Sequence, residues 1–108
     1  MHLHSTPFKK ILSGKKRVEV RINDEKRQQI KVGDQITFVS RDDQSSKILV
    51  EVTQILKTKS FFEIFRVLNV GETEENLLQK ETAMHEYYSR EEEIKYGVIG
   101  ISFHVLEV

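Results

Sequence analysis

Apolar and charged residues alternate without exception over residues 17–22. Because strand side chains alternate between two faces, this pattern predicts a strand whose buried face carries Val18, Val20 and Ile22. The opposite face carries three charged side chains, namely Arg17, Glu19 and Arg21. That charged face is either a solvated surface with salt bridges or one wall of a pocket for an anionic or polar ligand.

The same two-residue period predicts further strands at 35–40, 48–56 and 98–108, with a short edge strand within 1–5. The polar segment 41–47 is typical of a hairpin loop. Cap signals predict four helices, which begin after Thr6, Ser60, Thr73 and Ser89. Pro7 fits the first helical position, and Gly14 is expected to end that helix. The order predicts an α+β domain, a small open β-barrel of mostly antiparallel strands with an N-terminal helix and a helical insertion before the last strand.

Composition describes a single domain spanning 1–108, with 17 basic and 17 acidic side chains and no net charge. A dedicated non-specific nucleic-acid binder would be clearly basic. The charges are unevenly distributed, however. Residues 9–31 contain nine basic and three acidic residues, whereas residues 72–93 contain eight acidic and two basic ones. An anionic ligand is therefore expected to bind the first third of the chain.

Several classes of protein are disfavoured by what the sequence lacks. There is no cysteine, which excludes disulfides and thiol chemistry and suits a cytoplasmic protein. No apolar run approaches the roughly 20 residues of a membrane span, and no signal segment is recognisable. Phosphate-binding glycine loops and Ser/His/Asp sets are absent. The four histidines, His2, His4, His85 and His104, have no obvious third ligand nearby, so we predict neither a metal nor a cofactor.

Short motifs along nearly the whole chain resemble the ASCH domain. They include Pro7-Phe8, Gly14-Lys15-Lys16, Val18-Glu19-Val20-Arg21, Gly33-Asp34, Tyr87-Tyr88-Ser89 and Tyr96-Gly97-Val98. The resemblance implies a PUA-like β-barrel. It also implies a cleft between the first helix and the strand at 16–22 that takes RNA, a nucleotide or a modified nucleoside.

Some small bacterial members of this family are amidohydrolases that deacetylate acetylated cytidine. They use a lysine after the glycine turn, a threonine three residues later and a glutamate from the helical region. Lys16 matches the lysine and Arg21 matches a following arginine, whereas Glu19 stands in place of the threonine. No motif identifies the helical glutamate.

We predict ligand binding by Lys15, Lys16, Glu19, Arg21 and Tyr87. Lys16 has the parity of Val18 and is expected to begin on the core-facing side, where it could act as a base, or to extend out to solvent. Glu19 could accept an amino group of a base, orient a guanidinium or form a plain salt bridge.

Two further expectations concern the helical region. Tyr87 is a candidate for stacking on a base, whereas Tyr88 is expected to complete the apolar core. The glutamates at 91–93 are predicted to form a solvent face at a helix N-terminus.

Three functions follow from these patterns. The first is binding of RNA or a modified nucleoside. The second is an amidohydrolase in which Lys16 and Glu19 handle protons and water. The third is a protein-interaction module that docks a partner through the acidic helices at 72–93.

Overall fold

The computed structural model describes all 108 residues. Five strands and four α-helices are present, in the order β1 His2–Leu3, α1 Ser5–Leu12, β2 Val18–Ile22, β3 Gln35–Ser40, β4 Lys47–Thr58, α2 Phe61–Leu68, α3 Glu74–Met84, α4 Arg90–Tyr96 and β5 Val98–Glu107, with a 3-10 turn at Arg27–Gln29. The predicted fold class is therefore confirmed: it is α+β, with an N-terminal helix and a helical insertion before the last strand. None of the helices has the length and apolar composition that spanning a membrane requires.

The strands form one open sheet in the order β1-β3-β4-β5-β2. The two-residue β1 pairs in parallel with β3, placing His2 opposite Val39. β3 and β4 form the predicted antiparallel hairpin, with Phe38 opposite Ile48. β4 extends to Thr58, two residues beyond the predicted strand end.

The chain divides into two compact units, which are described separately. The first contains residues Met1–Glu19, Ile30–Ile55 and Ile101–Val108, and the second contains Val20–Gln29 and Leu56–Gly100. The division into two units does not test the prediction of a single domain over residues 1–108, which stays a prediction.

The first unit is built around seven buried apolar side chains, Leu3, Phe8, Ile11, Phe38, Ile48, Val50 and Phe103. The Phe38 and Phe103 rings are tilted by 58° with centroids 5.3 Å apart, a favoured aromatic geometry. α1 contributes Phe8 and Ile11, whose spacing of three residues places them on one helical face. Leu12, the residue after Ile11, is 51% exposed. α1 is thereby fixed on the core by a narrow apolar stripe.

The second unit has its own core of Ile22, Phe61, Ile64 and Val98. Phe61, the first residue of α2, is fully buried. Its ring stacks against Phe65 at 6.4 Å and against Tyr88 at 5.7 Å. The expected core role of Tyr88 is therefore confirmed.

Three of the four predicted helix caps are confirmed. The side chains of Ser60, Thr73 and Ser89 each accept a hydrogen bond from the backbone N–H of the third residue of their helix. The start predicted at Thr6 is wrong, because α1 begins at Ser5 with His4 in the N-cap position. Proline is tolerated throughout the first turn, whose N–H groups have no intrahelical acceptor, so Pro7 marks the turn without fixing its first residue.

Candidate functional site

The C-terminal end of α1 reverses the chain and brings Lys15 beside the helix. The Gly14 N–H donates to the Ile11 carbonyl oxygen at 3.1 Å, and the Lys15 N–H donates to the Lys10 carbonyl oxygen at 2.9 Å. These two bonds form a Schellman motif, which needs a left-handed residue after the cap. Gly14 supplies it with φ of +82°. The predicted glycine stop is confirmed, and its geometry determines where Lys15 and Lys16 lie.

Lys16 and Glu19 form an ion pair at the start of β2. Lys16 Nζ lies 2.9 Å from Glu19 Oε1. Glu19 is only 5% exposed as a residue, whereas the lysine side chain is 24% exposed. A buried carboxylate needs a hydrogen-bonded or charged partner, and Lys16 supplies one. The pair therefore consists of a buried acceptor and a cation that is still reached by solvent.

Two predictions about this strand are wrong. Lys16 does not begin on a core-facing side, because β2 starts only at Val18 and strand alternation does not extend to residue 16. Val18 and Val20 are only half-buried, although alternation predicts them on the buried face. Of the two interpretations of the charged face, a solvated surface is excluded at its centre, because Glu19 is buried. Alternation determines which residues share a face. Whether the second face is covered depends on residues far away in the sequence.

Arg17 has a role of its own in the first unit. Its Nη1 donates to the carbonyl oxygens of Ile11 and Lys16, each at 3.3 Å. Carbonyl groups at a helix C-terminus have no intrahelical donor, and positive charge is favourable there. Arg17 therefore stabilises the end of α1.

Two of the predicted ligand-binding residues belong to the second unit. Arg21 is half-buried in β2. Tyr87 is 65% exposed and lies in the turn after α3, where its backbone N–H donates to the Met84 carbonyl oxygen at 3.0 Å. The part played by Arg21 and Tyr87 in ligand binding stays a prediction.

The second unit contains a buried carboxylate that the sequence patterns misassigned. Glu93 of α4 is 6% exposed, so the prediction of a solvent face over 91–93 is wrong at its third residue. Glu93 Oε2 accepts the Phe61 N–H at 2.8 Å. Glu93 Oε1 lies 2.8 Å from His85 Nε2. The carboxylate thus joins α4 to the first N–H of α2 and to the C-cap of α3.

A signal for this burial does exist in the sequence. The Ser89 capping box is complete, since Ser89 accepts from the Glu92 N–H and the Glu92 carboxylate accepts from the Ser89 N–H. In capped helices the residue before the cap packs against the fourth helical residue. These two positions are Tyr88, which packs on the core, and Glu93. Glu93 therefore occupies an inward position that an apolar residue usually fills, while Ile94 is 83% exposed.

The histidines have local partners. No group of three or more histidine, aspartate or glutamate side chains is arranged to hold a metal ion. His85 pairs with Glu93, and His104 Nε2 lies 3.2 Å from Glu51 Oε1.

Comparison with known proteins identifies the family. The model of the ASCH domain matches residues 1–107. The chain belongs to the ASCH domain family. ASCH domains fall in the PUA-like superfamily, whose general character is RNA binding. No curated protein matches this ASCH domain in sequence.

Two solved structures resemble this ASCH domain over almost all of their length. The crystal structure of the hypothetical protein PH0355 has 29% identity and a TM-score of 0.81, covering 98% of this chain and 96% of that one. The solution structure of protein PF0455 from Pyrococcus furiosus also has 29% identity, covers both chains completely and has a TM-score of 0.64. The similarity extends through strands and helices alike, in agreement with the family assignment.

Proposed function

We propose that this ASCH domain binds RNA or a modified nucleoside, with Lys16 and Glu19 in contact with the base. The observation that carries the proposal is the 2.9 Å pair of a buried carboxylate and a partly exposed ammonium. A carboxylate accepts the exocyclic amino group of cytosine, and an ammonium donates to ring nitrogen or carbonyl acceptors. The pair therefore complements a base edge on which an amino donor lies next to an acceptor.

The charges of the pair favour a base over a bare phosphate. Glu19 offsets the charge of Lys16, so the two side chains together add little net attraction for an anion. The pair does offer a hydrogen-bond donor and a hydrogen-bond acceptor at a site that is partly shielded from water, where hydrogen bonds discriminate between ligands. Lys15, next to Lys16 in the chain, is proposed as a further ligand contact.

Binding measurements on the pair test this proposal. Wild type, Lys16→Ala and Glu19→Gln are titrated at low salt with acetylated cytidine and with a short single-stranded RNA, using calorimetry or NMR shifts. We expect each substitution to weaken binding about tenfold, the effect of losing one charge-assisted hydrogen bond.

Lys47→Ala is the matched control, because Lys47 is an exposed lysine at the start of β4. Circular dichroism verifies that all variants are folded. The proposal is rejected if the wild type binds neither ligand, or if Lys47→Ala weakens binding as much as Lys16→Ala.

A second candidate function is amide hydrolysis of an acylated nucleobase. It is favoured by the Lys16–Glu19 distance of 2.9 Å, which allows a proton to pass between a base and its partner. In this reaction a water molecule adds to the acyl carbon, the C–N bond breaks, and the released amine takes up a proton. Glu19 would occupy the position at which the hydrolytic members have threonine.

Chromatography of acetylated cytidine incubated with the protein tests this second function. We expect cytidine and acetate to appear with the wild type and not with Lys16→Ala. Turnover that persists in Lys16→Ala would remove Lys16 from the mechanism.

A further inference from the structure

We propose that Lys9, Lys10 and Lys15, hereafter the lysine cluster, bind the phosphodiester backbone of an RNA strand whose base is contacted by Lys16 and Glu19. This inference rests on the proposed function and narrows it. It selects a polynucleotide over a free nucleoside as the ligand.

Charge is the first observation behind it. Residues 5–18 contain five basic side chains and no acidic one, although the protein has no net charge. Lys9 and Lys10 occupy the last turn of α1, and Lys15 follows immediately after the glycine turn. All three are exposed. A local surplus of positive charge in a neutral protein creates a local field that attracts phosphates.

The second observation is the absence of carboxylate partners in the cluster. Lys16 pairs with Glu19, and Arg17 donates to carbonyl oxygens at the end of α1. The three lysines of the cluster have no ion pair within 4.0 Å and no side-chain hydrogen bond. Their ammonium groups are therefore available to an external anion.

The Schellman turn makes the cluster continuous with the base-contacting pair. The Lys10 carbonyl oxygen accepts the N–H groups of both Lys15 and Lys16, at 2.9 and 3.1 Å. Through these two hydrogen bonds the carbonyl oxygen of Lys10 holds the backbones of Lys15 and Lys16 against the end of α1. Because these backbones meet at one turn, we expect a nucleotide whose base meets Lys16 and Glu19 to direct its phosphates toward the cluster. This continuity favours a nucleic acid over an acidic protein, which has no base to offer.

A simpler role for Lys9 and Lys10 is to offset the partial negative charge at the C-terminus of α1. That role affects the stability of the helix. It does not make ligand binding depend on salt, and this difference separates the two explanations.

The experiment compares three ligands: acetylated cytidine, a 12-residue single-stranded RNA containing it, and polyglutamate of similar charge. Affinities are measured between about 50 and 300 mM salt for the wild type and for Lys9→Ala/Lys10→Ala. The matched control is Lys47→Ala/Lys80→Ala, which removes the same charge from two other exposed lysines.

We expect the RNA to bind more tightly than the nucleoside, with a logarithmic salt slope near −2 for three phosphate contacts at about −0.7 each in single strands. Lys9→Ala/Lys10→Ala should reduce the magnitude of that slope by about 1.4 and weaken RNA binding about tenfold at 0.1 M salt. It should leave nucleoside binding unchanged. The control variant should retain the wild-type slope.

Three outcomes would overturn the inference while leaving the proposed function standing: RNA bound no more tightly than the nucleoside, equal losses in the two double variants, or polyglutamate bound as tightly as RNA. If neither the nucleoside nor the RNA binds to the wild type, the proposed function itself fails.

Discussion

Glu19 and Glu93 are buried to nearly the same extent, at 5% and 6% exposure, but their partners differ in kind. The partner of Glu19 in the Lys16 pair is a long side chain that solvent still reaches. Glu93 is bound by a backbone N–H and by a histidine on the C-cap of a helix. A partner on a flexible side chain can be exchanged for a ligand, whereas a backbone partner cannot. Under the proposed function Glu19 would take part in recognition, whereas the contacts of Glu93 are architectural.

Replacing Glu93 should have the largest effect on stability. Glu93→Ala leaves the buried Phe61 N–H without its acceptor and His85 without its carboxylate. Breaking such an arrangement costs about 3 kcal/mol or more, a large fraction of the stability of a domain. Urea unfolding monitored by circular dichroism measures the change.

Glu93→Gln is the control for this prediction, because the amide oxygen can still accept the Phe61 N–H. We expect it to lose only about 1 kcal/mol. An unfolding midpoint of Glu93→Ala equal to that of the wild type would contradict the architectural role.

Alanine substitutions at the two glycine turns, Gly97 and Gly14, should also differ in cost, with the larger loss of stability in the second unit. At Gly97, with φ of +73°, an added Cβ would lie 2.9 Å from the Thr58 carbonyl oxygen. At Gly14, with φ of +82°, the nearest atom is Arg17 Nη2 at 3.2 Å, on a side chain that can move. We expect Gly97→Ala to cost about 2–3 kcal/mol and Gly14→Ala about 1 kcal/mol.

Thermal unfolding of the two alanine variants measures this difference. Because Gly14 also determines where Lys15 and Lys16 lie, Gly14→Ala should weaken RNA binding, whereas folded Gly97→Ala should not. Equal destabilisation by the two substitutions would show that backbone conformation alone decides the cost.

A double-mutant cycle on Lys16→Met and Glu19→Gln should give a smaller energy. The pair is partly solvated, so its coupling free energy should be about 1 kcal/mol. Methionine keeps the apolar stem of the lysine, and glutamine keeps the shape of the carboxylate, which limits cavity effects. A coupling free energy larger than the destabilisation caused by Glu93→Ala would contradict the contrast between the two carboxylates.

The smallest effect is expected at Asp43, an exposed carboxylate that serves as a third point of comparison. Hydrogen bonds from the Ser45 and Ser46 hydroxyls and from the Ser45 N–H hold its pKa below the usual value of an aspartate carboxyl group. A carboxylate whose pKa is lower in the folded than in the unfolded state stabilises the folded state at any pH above the unfolded-state pKa. This contribution is lost as the pH falls through the folded-state pKa. An NMR titration should place the Asp43 midpoint below that of Asp43 in the Ser45→Ala/Ser46→Ala variant. Coincident midpoints would contradict the assignment.

Most of the secondary structure follows from local chemistry. The caps at Ser60, Thr73 and Ser89 and the glycine stop at Gly14 depend on a few neighbouring atoms, and sequence patterns predict them correctly. The start of α1 was misplaced because proline is compatible with several positions of a first turn. Sequence signals therefore predict the end of a helix correctly where only a few residue types suit the backbone position.

The candidate site depended on contacts that sequence patterns do not contain. Alternation placed Glu19 opposite the aliphatic face of β2, and helical spacing left Glu93 on a charged helix. It was tertiary packing that buried both. A carboxylate is compatible with a surface or with a buried pair, and for Glu93 the approach of the Phe61 N–H, 32 residues away in the chain, decides between them.

The sequence alone determines the α+β class, the order of the elements, the N-caps at which three helices begin and the basic character of the first third of the chain. Each of these depends on backbone geometry, residue chemistry or charge within a short stretch. Packing between the elements determines which of the charged side chains are buried, because burial depends on elements that are distant in the chain and meet only after folding.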